Sequence, residues 1–280
     1  MVRDAAASAA FHEVRHRAAL KSWETRRRAL AEIPKPKVSR GDWANQNAEA
    51  ERQLAVSPVA GIKPLGGGIS ETYKATLANG MKCNVKVSNS AESEVGVWEV
   101  AKLVGMDDMV PPAVIRDVDV PGVPHVPYDS VKGPGRTGRA PGVKRSSVAL
   151  WKEGTPAADI TDENTAFDGD EDMQRAAMFD YVTGNCDRHA GNWVVNAEGK
   201  IGLIDHNLAF FGFPASEFIT QAQSRMPNAS PAKFMAPYFA KKSQIADRLR
   251  KTGITDEQIS DVMARIDKAA SARSWLSLSL

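Results

Sequence analysis

Two periodicities of apolar and polar positions divide the chain. From Thr72 to Val87 the repeat is two: Tyr73, Ala75 and Leu77 alternate with Thr72, Lys74 and Thr76, then Met81, Cys83, Val85 and Val87 alternate with Lys82, Asn84 and Lys86. That repeat puts each set on one face of a pleated strand. Asn79-Gly80 between the runs suits the positive φ of a type I′ turn, so a β-hairpin is predicted. Gly66-Gly67-Gly68-Ile69-Ser70 stands directly before it. A helix is predicted over Ala91 to Val104, capped by Ser90 and stopped by Gly105. Pro111-Pro112 opens an extended stretch, Ala113 to Val118. Residues 121–145, with five Gly and five Pro, read as a loop, and Ser147 to Trp151 as a short buried strand. Further on, Asp170 to Val182 reads as a helix, and Trp193–Val195 with Lys200–Ile204 as a second hairpin. The rest is mostly helical, with Thr255 and Gln258 as a capping box before Ile259, Val262, Met263 and Ile266. Residues 1 to about 33 read as a helix ended by Pro34 and Pro36, and residues 34–54 as a linker plus a short helix. A β-rich half followed by an α-rich half is an α+β arrangement.

Composition narrows the classes. With 280 residues, 42% apolar and 25% charged, the chain can bury a sizeable core. No apolar run approaches the roughly 18 residues of a membrane span. The start lacks an apolar leader segment and carries Asp4, His12 and Glu13, so no secretory signal is expected. Two cysteines, Cys83 and Cys186, fit a reducing compartment, and a cytoplasmic location is expected. The count also excludes paired C-x-x-C zinc sites. A net charge of +2 hides an uneven distribution: residues 1–40 hold ten Lys/Arg against four Asp/Glu, Lys132 to Arg145 hold five basic residues and no acidic one, and residues 155–174 hold seven acidic residues and no basic one. Basic stretches can meet nucleic acid, but solvated surface accounts for them better, so nucleic acid is not the expected partner. Residues 1–54 remain a candidate surface for a protein partner.

The segment Gly184-Asn-Cys-Asp-Arg-His-Ala-Gly-Asn-Trp193 carries the chemistry. It holds Asp187 and Asn192 in the spacing D-x-x-x-x-N, and Asp205 follows thirteen residues after Asn192, at the end of the apolar run Ile201 to Ile204. Phosphoryl transfer needs a carboxylate at the acceptor hydroxyl, metal on the phosphates and positive charge against them. An Asp, an Asn five residues on and a second Asp beyond a hairpin supply the first two in the kinase pattern. A lysine strand supplies the third: Lys86 sits near the end of its strand, and Lys82 shares its face. The lysine's carboxylate partner is sought on the following helix, where Glu94 borders the apolar face of Val97, Trp98 and Ala101, while Glu92 and Glu99 fall on the polar side.

These motifs resemble a known group. Asp187-Arg-His-x-x-Asn192 followed by Ile204-Asp205 is similar to the phosphatidylinositol 3-/4-kinase-like branch of the kinase superfamily. Gly184-Asn-x-Asp-Arg-His189, Asp205 running into Phe210-Phe211-Gly212, and Glu94-Val-Gly-Val-Trp98 through Val110-Pro-Pro112 resemble the secretory-pathway casein kinases. HipA-type kinases share the outline. The resemblance spans about residues 60–215 and implies a bilobal protein-kinase-like fold: a β-rich lobe over residues 55–148, an α-rich lobe over 149–280, and a helical extension over 1–54.

It also implies roles. Asp187 would be the catalytic carboxylate, and Asn192 and Asp205 would ligate Mg²⁺ or Mn²⁺. Gly66, Gly67, Gly68 and Ser70 would lie over the phosphates of ATP, whose backbone N–H groups approach closely where side chains are missing. Lys86 would contact the α/β-phosphates with Glu94 as its partner, and Ala149 and Leu150 would meet adenine through their backbone. The acceptor would be a hydroxyl, with protein Ser/Thr first and a phosphoinositide or small alcohol second. AMP transfer and a nucleotide-binding scaffold stay open. His206-Asn-Leu replaces the usual Phe-Gly after Asp205, and no A-P-E segment follows. His189 is left between supporting Asp205 and packing, and Arg188 between meeting phosphate and stabilising the loop.

Overall fold

The computed structural model describes residues 40–65, 71–88, 90–123, 138–159, 171–197, 199–212, 217–225 and 230–278. The predicted N-terminal helix over residues 1–33 lies outside them, as do Gly66, Gly67, Gly68 and Ser70.

Helix α1 (Arg40–Val56) leads into a five-stranded antiparallel sheet. Its strands are β1 (Val59–Pro64), β2 (Glu71–Leu77), β3 (Lys82–Val87), β4 (Ala113–Val120) and β5 (Gly142–Leu150), in the order β1-β2-β3-β5-β4. Helix α2 (Ala91–Val104) runs between β3 and β4. A small second sheet joins β6 (Thr155–Pro156), β7 (Trp193–Val195) and β8 (Ile201–Leu203). The remaining helices are α3 (Glu171–Thr183), α4 (Glu217–Arg225), α5 (Ala236–Ala240), α6 (Lys242–Thr252) and α7 (Asp256–Ser271). This is the α+β order expected: a sheet-rich region, then a helical one. Among the described residues no helix is long and apolar enough to cross a membrane.

The alternation over residues 72–87 translates directly. Tyr73, Ala75, Leu77, Cys83 and Val85 are buried on one face with Leu54 of α1 and Val118, Val120 and Val148. The other face carries Lys74, Asn84 and Lys86. A larger core unites α2, α3, α6 and α7 around Trp98, Phe179, Trp193 and Trp275. The capping box at Thr255 and Gln258 forms, and Gly105 closes α2 at φ 75 with its N–H on Ala101 O.

Four local expectations need correction. The hairpin turn is not type I′: Gly80 N–H bonds Leu77 O and Leu77 N–H bonds Met81 O, both at 2.8 Å, and only Gly80 has positive φ. This is a three-residue loop, a type I turn followed by a left-handed glycine. Ser90 makes no side-chain cap bond to α2. The loop predicted over 121–145 is shorter, because β5 begins at Gly142 and β4 runs to Val120; Val118 pairs with Lys144, whose ammonium lies 2.9 Å from buried Glu71. A charged residue in a loop-like composition therefore belongs to a strand. The short helix within 34–54 is the 17-residue α1, held by Lys102–Glu51 at 3.0 Å and by Asn47 Nδ2 donating to Asp107 O at 2.9 Å.

Candidate active site

The candidate site lies where the five-stranded sheet meets the helical region. Lys86 projects from β3 on the face opposite the Tyr73–Val85 core and is almost wholly buried. Its Nζ lies 2.5 Å from Asp205 Oδ1 and 3.7 Å from Glu94 Oε1. The eight-residue spacing from Lys86 to Glu94 thus suffices, since β3 passes into α2 after a short connection. Glu94 also accepts the His206 N–H at 2.9 Å. Burial pushes the Glu94 carboxyl above its usual range, Lys86 pulls it back, and Asp205 adds to the rise. Lys82, the other lysine on this strand face, is half-exposed and pairs with Glu153 at 3.2 Å. The structure therefore brings Lys86, not Lys82, to Glu94 and Asp205.

Asp205 follows β8 and has φ 59, a left-handed conformation that non-glycine residues seldom adopt. That turn aims its carboxylate at Lys86. Asn192 ends the turn before β7, and its carbonyl accepts the Ile204 N–H at 3.1 Å, so Asn192 and Asp205 sit at neighbouring strand ends. Asn192 Nδ2 donates to Asp187 O at 2.7 Å and to Asp187 Oδ2 at 3.3 Å, which joins the two loop residues. The side chains of Asp187 and Asp205 are 42% and 35% exposed, enough for a substrate to reach both.

Buried polar contacts fix this arrangement. Arg188 is fully buried in a nest of acceptors. It pairs with Asp180 on α3 through two 3.2 Å bonds, donates to Ile204 O at 2.6 Å and to Asn192 O, and meets His206 Nδ1 at 3.0 Å. Its role is thus to stitch the loop, one of the two anticipated. His189 is exposed, accepts the Gly191 N–H and sits 4.0 Å from Asp187 Oδ1, so it neither supports Asp205 nor packs in the core. His206, next to Asp205, instead bonds Glu94 through its N–H and meets Arg188 through Nδ1. The only sequence signal for it was its position next to Asp205.

Ala149 pairs with Asn84 on one side and Ala113 on the other, inside the sheet. The Leu150 N–H bonds Pro112 O at 2.8 Å and the Trp151 N–H bonds Lys82 O at 3.0 Å. These amides are engaged by neighbouring strands. Cys186 is half-buried, with its thiol raised by burial and donating to Leu208 O at 3.5 Å, which agrees with a packing role.

Asn192 and Asp205 offer the hard oxygen donors that Mg²⁺ and Mn²⁺ accept. Among the described residues no group of three His, Cys, Asp or Glu forms a ready cage. The donor set therefore fits an ion that completes its shell with phosphate oxygens and water.

Solved structures share this architecture. The Golgi casein kinase with Mn/ADP bound superposes with a TM-score of 0.54 at 13% identity, over 84% of this chain and 76% of that one. The fold is a kinase fold. Hydra Fam20 with sugar gives the same TM-score and identity over 81% of this chain and 88% of that one. The family model described as phosphatidylinositol 3- and 4-kinase matches residues 145–264, from β5 into α7 of this kinase-like chain. No curated protein matches the sequence at a significant level.

Proposed function

We propose that this kinase-like chain is an ATP- and Mg²⁺- or Mn²⁺-dependent phosphotransferase that moves the γ-phosphate to a hydroxyl, with protein Ser/Thr as acceptor. The observation that carries the reading is the buried Lys86 ammonium between Glu94 and Asp205. A lysine so placed, beside an oxygen-donor pair and an exposed carboxylate, is what positioning a triphosphate requires. The Golgi casein kinase, whose structure holds Mn/ADP, supports nucleotide and divalent metal as ligands here.

In this reading Lys86 holds the α/β-phosphates and Glu94 orients it. Gly66, Gly67, Gly68 and Ser70 cover the phosphates, and the backbone at Ala149 and Leu150 borders the adenine. Asp187 accepts the hydrogen bond of the acceptor hydroxyl and takes its proton as the oxygen attacks the γ-phosphorus, while the bond from that phosphorus to the β,γ-bridging oxygen breaks and ADP leaves. Asn192 and Asp205 hold the metal, which when bound neutralises charge on the phosphates. The location proposed is cytoplasmic, and residues 1–54 are proposed to meet a protein partner.

One observation favours a second reading: the phosphatidylinositol 3- and 4-kinase match over residues 145–264 points to a lipid headgroup hydroxyl as acceptor. The two separate when purified protein is given γ-labelled ATP with Mg²⁺ or Mn²⁺, beside either casein or phosphatidylinositol vesicles. The first reading predicts label on casein that vanishes in Asp187→Asn. Label in the lipid alone would replace it with the second, and nucleotide binding with label in neither would favour a scaffold.

A further inference from the structure

Resting on the phosphotransfer reading, we infer that α2 is a fixed strut and not a swinging switch, and that Gly96 is the positioning residue that lets it seat so that Glu94 reaches Lys86. Glycine at the centre of a 14-residue helix weakens the helix relative to alanine. A close approach explains it. A Cβ at Gly96 would lie 3.0 Å from Phe210 Cε2, 3.2 Å from Leu249 Cδ2 and 3.3 Å from Ile254 Cγ1. All three belong to the helical region, so the glycine marks where α2 presses against α6 and the segment after Asp205.

Polar contacts hold α2 in the same place. Two are buried: Ser93 Oγ donates to Ala209 O at 3.1 Å, and Glu94 accepts the His206 N–H at 2.9 Å. More exposed pairs join α2 to its other neighbours: Glu92 with Arg145 of β5 at 2.6 Å, Glu99 with Arg248 of α6 at 3.4 Å, and Lys102 with Glu51 of α1 at 3.0 Å. Swinging α2 away would leave the Ala209 carbonyl and the His206 N–H without these bonds, and buried polar groups left unpaired are costly. Kinases that switch do so by moving the equivalent glutamate to and from its lysine. In this chain Glu94 lies 3.7 Å from Lys86, held there by contacts made within the chain itself. The contacts that seat α2 are made within the chain, so the strut needs no activating modification to hold Glu94 at Lys86.

Hydrogen exchange with and without Mg·ADP on the full chain tests this. The expected result is that α2 amides exchange as slowly as those of α6 in the free protein and change less than about twofold on saturation. A nucleotide-induced slowing of α2 by more than about tenfold would overturn the strut. If Mg·ADP does not bind, the phosphotransfer reading fails; free-state exchange then decides the strut alone, since α2 exchanging much faster than α6 would sink it. Gly96→Ala supplies the second arm, because alanine strengthens the helix while its methyl wedges the contact. Its turnover should fall about tenfold with Mg·ADP affinity within about threefold. Adding Leu249→Ala should recover part of the loss, as coupled neighbours do. Unchanged turnover in Gly96→Ala, or no recovery in the double variant, would remove Gly96 from the positioning role.

Discussion

Arg188 Nη2 lies 3.0 Å from His206 Nδ1, and that single buried contact joins the Asp187 loop to the residue after Asp205. Through the same guanidinium, Asp180 of α3 and the carbonyls of Asn192 and Ile204 are drawn together. This side chain therefore helps to set the relative placement of the Asp187 loop and Asp205, beside the Ile204 N–H bond to Asn192 O. Arg188→Ala takes the cation from the fully buried Asp180 carboxylate, which keeps the Asn185 Nδ2 bond at 3.1 Å, and breaking a buried ion pair costs about 3–5 kcal/mol. Urea denaturation should show it. Arg188→Lys keeps the charge but lacks the fork that reaches four partners, so it should recover only part of the stability.

His206 is expected to make the fold sensitive to mild acid. Burial, with the nearby Arg188 guanidinium second, holds its imidazole well below the usual 6.5. Nδ1 faces a donor and therefore accepts, which leaves the Nε2 hydrogen for Leu203 O at 3.3 Å. The unfolded chain takes up a proton here near 6.5 while the native chain does not, so the native state loses stability as pH falls below that value. Urea midpoints measured between about pH 5 and 7 should fall more steeply for the natural chain than for His206→Gln, since both share the carboxylate contributions. Parallel slopes would contradict the neutral, buried imidazole.

The two lysines of β3 should separate cleanly. Lys86→Met removes the charge beside Glu94 and Asp205 and should lower phosphate transfer by at least about a hundredfold. Lys82→Met removes a half-exposed partner of Glu153 and should leave turnover within about twofold. Initial rates of γ-label transfer at saturating ATP decide it.

Gly184 opens the loop that carries Asp187 and has φ 60. A Cβ there would lie 2.7 Å from Arg265 Nη2 and 3.1 Å from Gly212 O. Arg265 of α7 in turn donates to Val182 O at 3.1 Å and Gly212 O at 3.3 Å. Gly184→Ala should therefore cost about 2 kcal/mol, from the left-handed backbone and the displaced guanidinium. A thermal melt showing no loss would mean that Arg265 yields freely.

What the sequence made legible were features set by local periodicity and by chemistry at fixed spacing. Alternation over residues 72–87 identified which face of the hairpin is core, and the spacing of Asp187, Asn192 and Asp205 selected residues that the fold brings to one end of a small sheet. Glu94 was separable from Glu92 and Glu99 because helical phase distinguishes the buried face. Features set by distant partners were not legible. Lys144 reads as loop charge until Glu71 is seen across the sheet. The Asn79-Gly80 pair permits two turn types, and the register of β2 against β3 chooses between them. Arg188 was left between two roles because Asp180, eight residues away on α3, carries no motif. Gly96 gave no signal, since only its approach to Phe210, Leu249 and Ile254 explains a glycine inside a helix.

The most direct test of the central claim is label transfer from ATP carrying isotope at either the α- or the γ-phosphate, with Mg²⁺ or Mn²⁺, for the natural chain beside Asp205→Ala. The account predicts γ-label on an acceptor hydroxyl, abolished by Asp205→Ala, and none from the α-position. Transfer of α-label would mean that the same residues move AMP, and failure to bind nucleotide at all would contradict the phosphotransferase reading.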